Sequence, residues 1–253
     1  MIYSGNMRIF IFSGLQTLAL FSGFMTAAQT QSPVPRAETT FIVTPRLNSA
    51  GHFPFSGALI NNNVSFDVNV FYQRKMTGFF IFKSWDLGDA HSIVNYFQPG
   101  IFQKVNIGKK LNLGFFAGYI FSQTNGFSDD DSDFFVANVA TWTLSEKIRV
   151  ENTALFFNLS KAELTTTLAN RLLISYFLEK WKFDVYVWER VEFGNQFAAT
   201  SASLAVNFPK LKLSERVYIQ NTLSYQGFIT EAKPSWAMRN GFLFSVSAPI
   251  TVD

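Results

Sequence analysis

The chain has 253 residues, no cysteine and two histidines, His52 and His91, and only 15% of its residues are charged. Without thiols there is no disulfide framework, no thiolate metal site and no lipid-bearing N-terminal Cys, and two imidazoles leave little room for histidine chemistry. No run of basic residues occurs, and the net charge is +3 with a pI near 9.0, so the electrostatic footprint of a nucleic-acid binder is missing. Beyond residue 40 no apolar stretch is long enough to cross a bilayer as a helix. What the chain has instead is aromatic side chains: 17% of all residues, 30 of them Phe, within a hydrophobic fraction of 48%. That composition excludes disorder.

The first segment reads as an export signal. Arg8 precedes an apolar stretch from Ile9 to Met25, followed by the small residues Thr26, Ala27 and Ala28 and the polar run Gln29-Thr30-Gln31-Ser32-Pro33; this is the order of a cleavable signal peptide. Ser13, Gly14, Gln16, Thr17, Ser22 and Gly23 dilute the stretch and argue against a spanning helix. The expectation is a signal peptide over 1–28, a periplasmic segment over 29–38 and a folded body over 39–253.

In that body the side chains alternate with a period of two, as on strands with one apolar face. Leu211, Leu213, Glu215, Val217, Ile219, Asn221, Leu223 and Tyr225, mostly apolar, oppose Lys212, Ser214, Arg216, Tyr218, Gln220, Thr222, Ser224 and Gln226. Val64, Phe66, Val68, Val70 and Tyr72 oppose Ser65, Asp67, Asn69, Phe71 and Gln73, and Trp236, Met238, Phe242, Phe244, Val246 and Ala248 oppose Arg239, Gly241, Ser245 and Ser247. Thr77 to Trp85 and Thr153 to Leu159 are apolar on both faces, which a barrel that packs side chains inside accommodates. The runs are longer than the roughly 5–6 residues usual for soluble strands and suit tilted membrane strands.

Short Lys-bearing turns recur at Lys75, Lys109, Lys147, Lys180 and Lys210, at steps of 34, 38, 33 and 30 residues. Each step holds two strands and one longer loop. Long loops at one end and short turns at the other are the arrangement of outer-membrane barrels, with the turns toward the periplasm. The spacing predicts an all-β, antiparallel, up-and-down transmembrane barrel of about 12 strands. They fall near 39–48, 63–73, 76–86, 95–107, 111–123, 133–144, 148–159, 165–178, 182–194, 197–208, 212–226 and 236–248, the first interrupted by Pro45 and the last pairing with it.

These features together resemble the porin-like outer-membrane barrels of Gram-negative bacteria. The likeness is one of architecture and covers nearly all of the expected mature chain. It departs at the C-terminus, which reads Ala248-Pro249-Ile250-Thr251-Val252-Asp253 instead of ending on an aromatic residue. The resemblance implies residence in the bacterial outer membrane, the lipid bilayer and the membrane-insertion machinery as partners, and no cofactor or metal. The pattern specifies no oligomeric state.

With apolar residues toward lipid, the polar rows line the lumen, since charge facing lipid is costly. That assigns Asp67, Lys104, Arg149, Glu151, Arg171, Asp184, Arg190, Glu192, Arg216 and Arg239 to the interior, an Arg-rich set suited to small anionic solutes. The alternatives are a plugged barrel that is structural or binds through its loops, and a lipid hydrolase. Tyr72, Trp142, Tyr176 and Trp181 beside the turns, and Trp85, Tyr96, Tyr225 and Trp236 beside the loops, form two expected interfacial belts. Glu189 falls on the outward row beside Val187 and Val191. His91-Ser92 points to a hydrolase only if another Ser joins it, because adjacent residues on a strand point apart. The run Asp129-Asp130-Asp131-Ser132-Asp133 lacks the spaced ligands of a calcium loop and reads as a solvated tip.

Overall fold

The computed structural model describes residues 39–53, 58–122, 132–160, 166–193, 197–230 and 240–252. The expected signal peptide and the segment 29–38 lie outside them. The described chain forms twelve long strands: β1 (Thr39–Asn48), β2 (Ser65–Arg74), β3 (Thr77–Asp86), β4 (Tyr96–Ile107), β5 (Leu111–Ser122), β6 (Asp133–Thr143), β7 (Ile148–Phe157), β8 (Thr167–Leu178), β9 (Trp181–Glu192), β10 (Phe197–Asn207), β11 (Tyr218–Phe228) and β12 (Gly241–Ser247). Each pairs antiparallel with its neighbours in chain order, and β1 also pairs with β12, so the sheet closes on itself. Closure matters because hydrocarbon offers no partner to an open edge.

The seam explains Pro45. β1 pairs with β12 from Arg46↔Ser247 to Asn48↔Ser245, then with the short segment Ile250–Val252 from Val43↔Ile250 to Phe41↔Val252. Pro45 stands at the break between the two, where its carbonyl accepts a hydrogen bond from the Ala248 amide at 3.0 Å. The donor that proline lacks coincides with an interruption of the ladder, where proline is tolerated. At the turn end, left-handed backbone at Lys75 (φ 54°), Gly108 (φ 63°) and Glu179 (φ 50°) reverses the chain between β2 and β3, β4 and β5, and β8 and β9.

Which face looks outward follows from exposure. Ile101, Leu204 and Phe242 are 66%, 65% and 69% exposed, while Gln98, Asp67 and Ser201 are 0%, 1% and 2% exposed. Apolar side chains thus face out and polar ones in, the reverse of a water-soluble protein and the arrangement lipid demands. Among the described residues no helix is long and apolar enough to cross a membrane.

The interior is not uniformly polar. Phe80, Phe102, Phe135, Ala137, Leu155, Phe157 and Ala169 form a buried cluster against which Phe71, Phe116 and Ile120 pack. They come from β2 to β8, so one wall of the barrel is lined with rings. This is why Thr77 to Trp85 alternates poorly: Phe80 and Phe82 face in while Phe79 and Trp85 face out.

One predicted strand needs correction. The run 212–226 alternates throughout, but Leu211–Lys212 folds back on Ile219 and Tyr218 as a small hairpin, and the barrel strand starts only at Tyr218. Periodicity is preserved through a tight reversal, so the pattern alone does not mark it. In the first loop, Gly51–Phe53 and Ala58–Asn61 add a second short hairpin.

Candidate channel lumen

Two buried carboxylates organise the polar side of the interior. Asp67, on the inward row of β2, accepts hydrogen bonds from Arg46 (Nε 3.0 Å), Asn48 (Nδ2 2.9 Å) and Ser84 (Oγ 2.7 Å), and pairs with Arg46 Nη2 at 2.9 Å. Asp184, inward on β9, pairs with Lys182 Nζ at 2.9 Å and accepts from Ser175 Oγ at 2.6 Å and Asn207 Nδ2 at 2.8 Å. A buried charge is tolerated only when paired and hydrogen-bonded in this way. A third pair joins Arg171 Nη2 on β8 to Glu151 Oε1 on β7 at 2.5 Å, with Thr153 Oγ1 3.2 Å from the same nitrogen.

Three further cations lie over aromatic rings. Lys104 Nζ stands 4.8 Å from the Phe71 centroid and 5.0 Å from that of Phe102, and donates to Gln73 Oε1 at 2.8 Å. Arg190 Cζ lies 5.3 Å from the Phe157 ring, and Arg149 Cζ 5.5 Å from that of Phe177. Ring faces are weakly attractive to cations. The lumen therefore combines ion-paired acids with cations seated at the edge of an aromatic wall.

Of the residues assigned to the interior from sequence, Asp67, Lys104, Arg149, Glu151, Arg171, Asp184 and Arg190 lie on inward rows. Arg216 does not: it occupies the exposed bend of the hairpin before β11, where its carbonyl accepts from the Thr251 amide at 3.0 Å. The reason is the reversal of chain direction at 213–217 described above. Arg239 and the side chain of Glu192 lie outside the described residues. Arg46 and Lys182 belong to the interior set as well. Extending the alternation of β1 back from Asn48 places Arg46 inward, and Lys182 was hidden by its place next to a turn.

The outward rows carry Tyr72, Trp142, Tyr176 and Trp181 toward the turn end, and Trp85 and Tyr225 toward the loop end, with Tyr176 and Tyr225 41% and 46% exposed. Tyr96 departs from the expected belt. It is 3% exposed and stacks on inward-facing Phe82 at 5.4 Å, because the parity of β4 puts it on the same side as Gln98 and Phe102. Trp236 lies outside the described residues.

The loop between β3 and β4 is knotted by Asp86, which accepts from Asn61 Nδ2 at 2.5 Å and from the amides of Gly88 and Asp89 at 2.9 and 3.0 Å. Ser92 Oγ accepts from Asn61 Nδ2 and the Val94 amide, each at 3.2 Å. These residues hold the loop's shape. Asp133 is bound by Ser160 through its amide and hydroxyl, and the remaining aspartates of that run lie outside the described residues.

A closed twelve-stranded antiparallel barrel with a greasy exterior and a charged interior is the fold of the porin-like outer-membrane β-barrels. The chain is similar to the NanC porin, with a TM-score of 0.58 at 7% identity over 84% of this chain and 100% of that one. The KdgM porin aligns with a TM-score of 0.54 at 7% identity, over 84% and 99% of the two chains. An outer-membrane channel from Pseudomonas putida F1 aligns with a TM-score of 0.57 at 10% identity, over 88% and 100%. At such identities the likeness is one of fold. No protein-family model and no curated protein sequence matches the chain.

Proposed function

We propose that the protein is a passive outer-membrane channel for small organic anions. The observation that carries this reading is the seating of Lys104, Arg149 and Arg190 against the lumenal rings of Phe71, Phe102, Phe177 and Phe157. Asp67, Glu151 and Asp184 are each held by a cation of their own, which limits their repulsion of a passing anion. A solute with an anionic group and an apolar body would slide its body along the rings while its charge passes from cation to cation. Arg suits carboxylate and phosphate groups because its planar fork binds them through two hydrogen bonds.

One observation favours a second reading, a barrel that conducts nothing: the cluster around Phe102 and Phe135, each 2% exposed, packs tightly inside. Purified protein in a planar bilayer under a salt gradient separates the two. The expected result is discrete conductance steps with a reversal potential showing anion preference, reduced in Lys104→Gln and Arg190→Gln. Silence of correctly folded protein would establish the closed barrel, and a cation preference would refute the anion reading.

A further inference from the structure

On the outward face of β6 to β9 the rule of greasy exteriors fails locally. Asn138, Ala154, Asn170 and Glu189 stand in register across the four strands, and Asn152 lies one outward step below Ala154 on β7. Asn138 and Asn152 are at the middle of their strands. The face is otherwise lipid-exposed: Val136, Leu172, Ile174 and Val185 are 43%, 36%, 40% and 40% exposed on the same rows. Asn152 Nδ2 donates to Asn170 Oδ1 at 2.9 Å and reaches the Arg171 carbonyl at 3.4 Å. Among the described residues the barrel supplies no hydrogen-bond partner to the side chains of Asn138 and Glu189 or to Asn170 Nδ2. At the mid-strand position of Asn138 hydrocarbon supplies none either, while Asn170 and Glu189 stand three residues from the loop ends of β8 and β9. The outward row above the island, toward the loops, carries Val136, Phe156, Leu168 and Val191, and the row below carries Ala140, Asn152, Leu172 and Val187, so a largely apolar rim surrounds the polar groups.

We propose that this polar island is the contact through which two copies of the chain associate side by side in the membrane. A second copy is the occupant its chemistry favours. Each amide carries both donor and acceptor, so two islands facing each other across a two-fold axis along the membrane normal satisfy one another. The acceptor-only carboxylate of Glu189 finds donors in the partner's amides. Self-complementarity of this kind is what a two-fold interface requires. Lys83, also outward, lies on the opposite wall, 4.8 Å from the Trp85 ring, and takes no part.

The absence of cysteine makes the test clean. Ala154→Cys, within the island, and Ile81→Cys, outward on β3, are each reconstituted at low density in phosphatidylethanolamine–phosphatidylglycerol vesicles and treated with a short bis-maleimide. The expected result is a covalent dimer with Ala154→Cys at least tenfold above that with Ile81→Cys. Adding Asn138→Leu, Asn152→Leu and Asn170→Leu to Ala154→Cys should abolish the dimer while the folded, heat-modifiable gel band persists. Equal crosslinking at the two positions, or capture in cells of a different protein without homodimer, would overturn the proposal. The comparison of the two single variants decides this even if the leucine variant does not fold.

Discussion

Ser245 Oγ donates a hydrogen bond to Asn48 Oδ1 at 2.7 Å, joining the last strand to the first across 197 residues of chain. Asn48 in turn donates to Ser65 and Asp67, so a polar zipper inside the barrel reinforces the backbone ladder at the seam. A buried hydrogen bond of this kind contributes about 1 kcal/mol, and an orphaned partner adds a desolvation cost. Ser245→Ala should therefore lower stability by about 1 kcal/mol, and Asn48→Ala by roughly 2–3 kcal/mol because it strips a donor from Asp67 and an acceptor from Ser245. Urea unfolding from lipid vesicles measures both. Unchanged midpoints would mean that the backbone ladder closes the barrel unaided.

The Arg171–Glu151 pair offers a signed test of lumen electrostatics. Removing the acid leaves the lumen one charge more positive, and removing the base leaves it one charge more negative. Glu151→Gln should shift the reversal potential toward stronger anion preference, and Arg171→Gln should shift it the opposite way. Both shifts should shrink at high salt, since the Debye length falls to about 3 Å at 1 M. Shifts of the same sign in the two variants would show that the substitutions act by altering lumen shape.

Phe102 stacks on Phe71 at 4.7 Å and tilts against Phe116 at 5.5 Å, at the centre of the aromatic wall. If that wall narrows a conducting path, Phe102→Ala should raise single-channel conductance. The same change deletes a buried ring and should cost about 3–5 kcal/mol of stability. A loss of stability with unaltered conductance would place the path away from this cluster.

Much of this fold is legible in the sequence because lipid enforces one face. Outward residues such as Ile101, Leu204 and Phe242 face lipid, which disfavours polar side chains at depth, so their parity registers most strands. The inward face is under weaker constraint: water, a partner charge or another ring all satisfy it. That is why Phe80 and Phe82 blur the alternation of β3 and why Tyr96 reads as an interfacial aromatic while it packs inside. Arg216 fails for another reason. Its hairpin keeps the period while reversing the chain, and only the pairing of Lys212 with Tyr218 reveals it. Arg46 was readable from the parity of β1, but Pro45 beside it breaks the look of a strand until the gap in its partner is seen.

The aromatic wall also depends on glycine. Gly100 on β4 faces Gly118 on β5 in register, and the Phe80 ring occupies the space a side chain would need: a Cβ at residue 100 would lie 2.5 Å from Phe80 Cζ and 2.9 Å from the Ala117 carbonyl. The ring has a rotatable bond with which to retreat, whereas the carbonyl is fixed in the sheet. Gly100→Ala should therefore destabilise by about 1–3 kcal/mol, as overpacking does. Phe80→Leu in the same chain should restore only part of the loss, leaving the contact with the carbonyl. The two changes touch one another, so a double-mutant cycle should give a non-zero coupling. Strict additivity in vesicle unfolding would show that the Phe80 ring is not what holds residue 100 to glycine.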